Sequence, residues 1–214
     1  MGRRIPNYAR LPLLICLAAQ FLAYYIPRTL PPRGVRIEMA LWIDARIGVY
    51  PIWVIIYIGA YLFWVWGYVA ILSNSRADMR RFFAADIVQK AVAALCFILL
   101  PTHLHRPALA EDSVFAALTN LIYRLDPPDN LFPSMHTSVS WLIARSIGSM
   151  RGVRPACKAV CYVCAALVML SALFTGQHVV LDLIGGVALA EGALILGGWI
   201  ETRRRRKVDH ETTI

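Results

Sequence analysis

The chain has 214 residues, of which 58% are hydrophobic and 16% are charged, and its formal net charge is +9. This balance argues against a soluble domain and favours a membrane protein with several spans. A basic protein can bind nucleic acid, but here the basic residues fall between the apolar stretches, so we expect no nucleic-acid partner.

Six apolar stretches reach or approach the length of about 20 residues that a transmembrane helix needs. The first follows Arg3 and Arg4, as in a signal peptide, but no small-x-small cleavage site precedes Pro27, so we expect a retained anchor. We predict an all-α fold, a polytopic bundle of six transmembrane helices, with one domain over residues 1–200 and a basic cytoplasmic tail over residues 201–214. In chain order the predicted spans are Leu11–Ile26, Pro51–Leu72, Asp86–Leu100, Ser134–Met150, Pro155–Phe174 and His178–Ile200.

The basic residues predict how these spans are oriented, because Lys and Arg favour cytoplasmic loops. If both termini are cytoplasmic, 14 of the 22 Lys and Arg residues lie inside, 6 lie outside, and Lys90 and Arg145 fall within spans. The first outer loop, which carries four arginines, fits this orientation least well.

In this orientation, three polar clusters reach the outer ends of the spans. They are Pro101–Pro107, Asn130–Ser140 and Thr175–Asp182, and they contain four of the five histidines. Histidines with purely structural roles would not be expected to gather on one side, so we expect a functional site there.

The third cluster contains His178 and Asp182, four residues apart at the start of a predicted helix. This spacing puts both side chains on one helix face. A carboxylate that binds one imidazole nitrogen fixes the tautomer and leaves the other nitrogen free, as a nucleophile or base requires. The alternative is an ion pair without function, although a carboxylate within a span is costly to keep for no purpose.

The second cluster contains "NLFPSMHTSVS", residues Asn130–Ser140. Pro133 suits a turn before a helix and Ser134 is a good N-cap, so the next backbone N–H groups form a natural anion site. His136 would lie beside that anion and could protonate a departing ester oxygen. The alternative is that Ser134 only caps the helix and His136 faces water.

The first cluster contributes Arg106, whose planar guanidinium could hold a phosphate, or could instead lie at a lipid headgroup. A zinc site made of His103, His105, His136 and His178 is a further alternative, because three or four histidines can bind zinc. However, the two-residue spacing of His103 and His105 does not match a helical ligand pair.

The three clusters resemble the signature motifs of the type-2 phosphatidic acid phosphatase superfamily. "PSMH" matches its Pro-Ser-x-His motif, and "SALFTGQHVVLD" matches the motif Ser-Arg, five residues, His, three residues, Asp. "HRP" matches the end of its Lys, six residues, Arg-Pro motif. The pattern "DPPDNLFPSMH" with "TGQHVVLDLIGG" is most similar to the branch of inositol phosphorylceramide synthases and their bacterial relatives, and the resemblance covers residues 101–186.

The resemblance implies a lipid phosphatase or phosphotransferase in which His178 becomes a phosphohistidine, Asp182 orients it and His136 protonates the leaving oxygen. It implies no metal and no cofactor, lipid phosphate and membrane lipids as partners, and a bacterial inner membrane with the site on the periplasmic side. With water as acceptor the enzyme is a phosphatase, and with an alcohol it is a transferase that could pass a larger headgroup phosphate. The implied phosphate-binding residues are Arg106, Ser134, Arg124 and Ser171.

Two cations of the motifs are missing, because Leu99 and Ala172 stand at their positions. Lys90 is 16 residues from Arg106, about 24 Å along a helix, so we expect it to extend to the inner face instead. Arg124 is the candidate to compensate from the outer loop. A non-catalytic scaffold and a lipid transporter remain alternatives, and the sequence fixes neither the lipid nor the oligomeric state.

Overall fold

The computed structural model describes residues 5–30, 36–110 and 112–211, and within these ranges the chain forms helices and no β-strand. The prediction of an all-α fold is therefore confirmed. The seven α-helices are α1 (Asn7–Thr29), α2 (Val54–Leu72), α3 (Arg76–Leu99), α4 (Val114–Leu125), α5 (Met135–Ser149), α6 (Pro155–Phe174) and α7 (Val180–Glu211).

By length and composition, five of the described helices could cross a membrane, namely α1, α2 with the turn before it, α3, α6 and α7. The predicted span Ser134–Met150 forms α5, which has only 15 residues and is about 22 Å long. Most residues of α5 are buried, including several serines and a threonine. Its neighbours are therefore other helices rather than lipid, which explains why it is the most polar of the predicted spans.

α1, α3 and α7 are longer than predicted, and α4 was not predicted. α3 begins at Arg76 because the Ser75 hydroxyl accepts a hydrogen bond from the Asp78 backbone N–H at 3.0 Å. α7 continues to Glu211, so most of the predicted tail is helical. α4 is a short helix in the loop between α3 and α5, and Ser113 caps it in the same way.

The long helices and α5 alternate in direction, so the C-terminal ends of α1, α3 and α6 meet the N-terminal ends of α2, α5 and α7. We call this the site end. Here the Ile37 N–H donates to the Pro101 carbonyl at 2.8 Å, which joins the loops that follow α1 and α3. At the opposite end, Arg80 of α3 contacts Glu201 of α7 at 2.7 Å. Both described chain ends therefore lie away from the site end.

The prediction that Lys90 extends to the inner face is wrong. Its side chain is 2% exposed, and its ammonium donates to Asp86 at 2.6 Å and to the Cys16 carbonyl at 2.8 Å. Asp86 lies one turn earlier on α3, and its carboxylate also accepts from Tyr68. With a counterion and hydrogen-bond partners available inside the bundle, the ammonium does not need to reach water.

Gly186 allows α7 to lie directly against the start of α5. A Cβ at this position would lie 2.7 Å from the Ser134 carbonyl oxygen and 2.7 Å from the Thr137 Cβ. Such distances are well inside van der Waals contact, so the helices could not keep this separation with a larger residue.

We therefore expect Gly186→Ala to destabilise the protein by about 1–3 kcal/mol through overpacking. Gly192→Ala is the matched control, because a Cβ at Gly192 on the same helix would meet nothing within 4 Å. Alanine also raises helix propensity by about 1 kcal/mol at either position, so the control should be neutral or stabilised. Thermal unfolding in detergent measures both, and equal midpoints would contradict the close contact.

Candidate active site

The turn between α6 and α7 presents His178. Gly176 has φ 65°, which glycine adopts readily, and the backbone N–H groups of Gln177 and His178 both donate to the Ala172 carbonyl, at 3.0 and 3.1 Å. Asp44, in the loop between α1 and α2, accepts a hydrogen bond from the Val180 N–H at 2.9 Å and so caps α7. The backbone of this turn is thus held from two sides.

His178 and Asp182 form the pair that their spacing predicts. The distance between His178 Nδ1 and Asp182 Oδ2 is 3.2 Å, and the same oxygen accepts from the Val179 N–H at 3.1 Å. Both side chains are buried. Because a carboxylate only accepts, Nδ1 carries the proton and Nε2 is left with its lone pair for chemistry.

His136 lies beside this pair, in the first turn of α5. The ring centroids of His136 and His178 are 5.9 Å apart. Tyr57 stacks on the His136 ring at 4.4 Å and Trp64 lies 5.1 Å away, so α2 encloses the imidazole. His136 Nε2 is buried and has no hydrogen-bond partner. The structure thus brings both histidines to one site.

Ser134 connects the two helix starts. Its hydroxyl accepts from the Thr137 N–H at 3.3 Å, which makes it the N-cap of α5, and its own N–H donates to the Asp182 carbonyl at 3.0 Å. The predicted cap therefore also fixes α5 against α7.

Arg106 reaches the same site from the loop after α3. One guanidinium nitrogen donates to the Asp126 carbonyl and another to Gln177 Oε1, each at 2.5 Å. The guanidinium also lies over the Tyr123 ring, 4.9 Å from its centroid, while its Nε is buried without a partner. Burial lowers the pKa of Arg106, and the charge of Asp126 opposes that shift. An arginine still remains charged at neutral pH.

Asp126 is a site residue that the sequence did not single out. Its carboxylate accepts hydrogen bonds from Tyr24 and from Arg28, the latter at 3.1 Å, and Tyr57 lies within 3.4 Å. Burial alone would raise the pKa of Asp126, but the Tyr24 hydrogen bond and the nearby His136 and Arg28 outweigh it and hold the pKa below its ordinary value. The carboxylate is therefore ionised at neutral pH. The signal was its place in "DPPDN", directly before the His136 motif.

Two predicted phosphate ligands have other surroundings. The Ser171 hydroxyl is buried and donates to the Val168 carbonyl at 2.7 Å, inside α6. Arg124 is exposed in the last turn of α4. A part for either side chain in phosphate binding stays a prediction.

The two positions where the motif cations are missing differ in their surroundings. Leu99 is more than half exposed at the end of α3, whereas Ala172 is fully buried and supports the His178 turn through its carbonyl. As for the zinc alternative, the rings of His103 and His105 lie 5.0 Å apart. Within residues 5–30, 36–110 and 112–211, the structure groups no three His, Cys, Asp or Glu side chains as metal ligands.

The chain also matches a known protein family over most of its length. A family model described as the PAP2 superfamily matches residues 35–196, a range that holds both histidines, Asp182 and Arg106. No curated protein and no solved structure gives a significant match. Because the match covers well over half of the 214 residues, the chain belongs to the PAP2 superfamily.

Proposed function

We propose that the protein is an integral-membrane enzyme that transfers the phosphoryl group of a lipid phosphate ester through His178. Membership of the superfamily supports a phosphatase or phosphotransferase that acts on lipid phosphates. Two contacts carry the proposal. His178 Nδ1 lies 3.2 Å from Asp182 Oδ2, and the ring centroid of His136 lies 5.9 Å from that of His178. One imidazole is oriented as a nucleophile and the other is free to exchange a proton.

In the first step, the lone pair of His178 Nε2 attacks phosphorus and the bond from phosphorus to the leaving alcohol oxygen breaks. His136 gives its proton to that oxygen, and Asp182 stabilises the positive charge that develops on His178. In the second step, His136 takes a proton from water or from an acceptor alcohol, whose oxygen attacks phosphorus while the bond from phosphorus to His178 Nε2 breaks. The products are a free phosphate or a new phosphate ester, and both histidines return to their starting forms.

The chain's own groups supply the chemistry of both steps. The nucleophile, its orienting carboxylate and the proton donor are all side chains, and Arg106 offers a permanent positive charge for the phosphoryl oxygens. The mechanism therefore gives no step to a metal or a cofactor.

A second candidate reaction is headgroup transfer from a phosphodiester, as the resemblance to inositol phosphorylceramide synthases implies. A phosphate monoester carries a charge of about −1.5 to −2 at neutral pH, whereas a phosphodiester carries a single negative charge. The motif positions that could add cations hold Leu99 and Ala172, and Arg28 is already bound to Asp126 and Asp129. The single positive charge of Arg106, which is hydrogen-bonded to Gln177, matches the single negative charge of a phosphodiester. The site is therefore suited to this second substrate class.

A scaffold or a lipid transporter is the alternative from another class. A scaffold does not require the buried pair of His178 and Asp182 with His136 beside it. A transporter requires a polar path between the two faces of the membrane. The paired histidines, Asp126 and Arg106 instead gather at one end of the bundle, which supports an enzyme.

We propose that the site end faces the outside of the cytoplasmic membrane and that both termini are cytoplasmic, because basic residues concentrate at the opposite end. Single cysteines introduced at exposed Arg36 at the site end and at exposed Arg203 on α7 would test this orientation. Each cysteine is introduced into a variant whose five native cysteines are replaced. In intact cells, a membrane-impermeant thiol reagent should label only the cysteine at position 36. Labelling of position 203 only would reverse the orientation and overturn the proposed location.

The two histidines should respond differently to the leaving group. General acid catalysis contributes about 10²- to 10⁴-fold, mostly for poor leaving groups. We expect His136→Ala to lose up to that factor on a lipid phosphate but far less on nitrophenyl phosphate, whose phenol leaves without help. His178→Ala should lose activity on both substrates, and Asp182→Asn should be intermediate. Initial rates with purified protein in detergent measure all three.

The control for this assay is the unaltered chain with and without EDTA, which should be equally active.

Phosphatidic acid, phosphatidylglycerol phosphate, polyprenyl diphosphate, and ceramide with a phospholipid donor would be offered, and both free phosphate and new lipids would be followed. Equal losses for both histidine variants on both substrates would contradict their separate roles. Loss in EDTA that zinc or magnesium restores would contradict the mechanism.

A further inference from the structure

Gln177 is a buried polar residue, next to His178 in the chain, to which the mechanism has given no part. It lies between Gly176 and His178, its side chain is 1% exposed, and its Oε1 accepts from Arg106 at 2.5 Å. No motif in the sequence pointed to it.

The contact with Arg106 fixes which way the Gln177 amide faces. A guanidinium has donors only, so the atom facing it must be the amide oxygen, and the NH₂ group points elsewhere. That nitrogen, Nε2, is buried and has no hydrogen-bond partner. A buried amide donor without a partner is costly, and native structures keep few of them without a functional reason.

Two further site nitrogens share this condition. Arg106 Nε and His136 Nε2 are also buried without partners. Arg106 binds the Gln177 amide, and His136 lies beside His178. A ligand that satisfies such a group of nitrogens must offer several acceptor oxygens, as a phosphoryl group does.

We propose that Gln177 is a phosphate-binding catalytic residue, whose Nε2 donates to a nonbridging oxygen of the phosphoryl group during attack by His178. This inference rests on the proposed function and deepens it. Gln177 then supplies a neutral hydrogen-bond donor beside Arg106, in place of a second cation.

Gln177→Glu separates this role from a purely structural one. Glutamate keeps an acceptor for Arg106, and as an ion pair it would hold the guanidinium at least as firmly. It replaces the amide donor by a second carboxylate oxygen, which repels a phosphoryl oxygen. Glutamate also offsets the charge of Arg106, so Gln177→Met, which adds no charge, is measured beside it. Only the loss of the amide donor is common to both variants, so both should lose activity if Gln177 binds phosphate.

We expect Gln177→Glu to lower kcat on the lipid phosphate about 10²- to 10³-fold, as loss of one preorganised donor to a developing oxyanion does. Inhibition by orthovanadate, which imitates the phosphoryl group in transfer, should weaken in parallel. Unchanged kcat and unchanged vanadate inhibition would overturn the proposal.

Thermal unfolding in detergent shows whether Gln177→Glu is folded. If it is not, Gln177→Met, which has a similar length and no donor, is judged alone, and unweakened vanadate inhibition in that variant would overturn the proposal. The unaltered chain distinguishes the two levels of inference. If it is inactive on every lipid phosphate offered, the proposed function fails, whereas an active chain that tolerates Gln177→Glu removes only the role of Gln177.

Discussion

The site depends on one contact between two helix starts, the hydrogen bond of 3.0 Å from the Ser134 N–H to the Asp182 carbonyl. His136 follows Ser134 by two residues and His178 precedes Asp182 by four, so this bond fixes the separation of the two imidazoles. It forms only because Gly186 has no side chain between α5 and α7. Two N-termini that meet also direct the positive ends of their helix dipoles to one place, which favours an anion there.

The second constraint is that every charge inside the bundle needs a partner, because the surroundings have a low dielectric constant. Arg28 and Tyr24 hold Asp126, and the Asp126 carbonyl holds Arg106. α1 lies outside the range of the family match, and yet it supplies Tyr24 and Arg28, two of the three side chains that contact the Asp126 carboxylate. The outermost helix thus contributes to the placement of the cation beside the histidines.

The sequence predicted those parts of the fold and site that depend on local patterns. Apolar length predicted the five long helices, and the four-residue spacing predicted the contact of His178 with Asp182. Gln177, Asp126 and Asp44 were missed because their partners lie far away in sequence, so no spacing reveals them. The burial of α5 was not predicted, because apolar length does not show whether protein or lipid surrounds a helix.

The most direct test of the account is to identify the covalent intermediate. The purified protein would be mixed with a radiolabelled or isotopically labelled lipid phosphate, quenched in alkali to preserve phosphohistidine, digested, and analysed by mass spectrometry. The account predicts a phosphoryl group on His178, lost on acid treatment and absent from His178→Ala. A turnover-competent protein with phosphate on another residue, or with no covalent intermediate under rapid quenching, would contradict it.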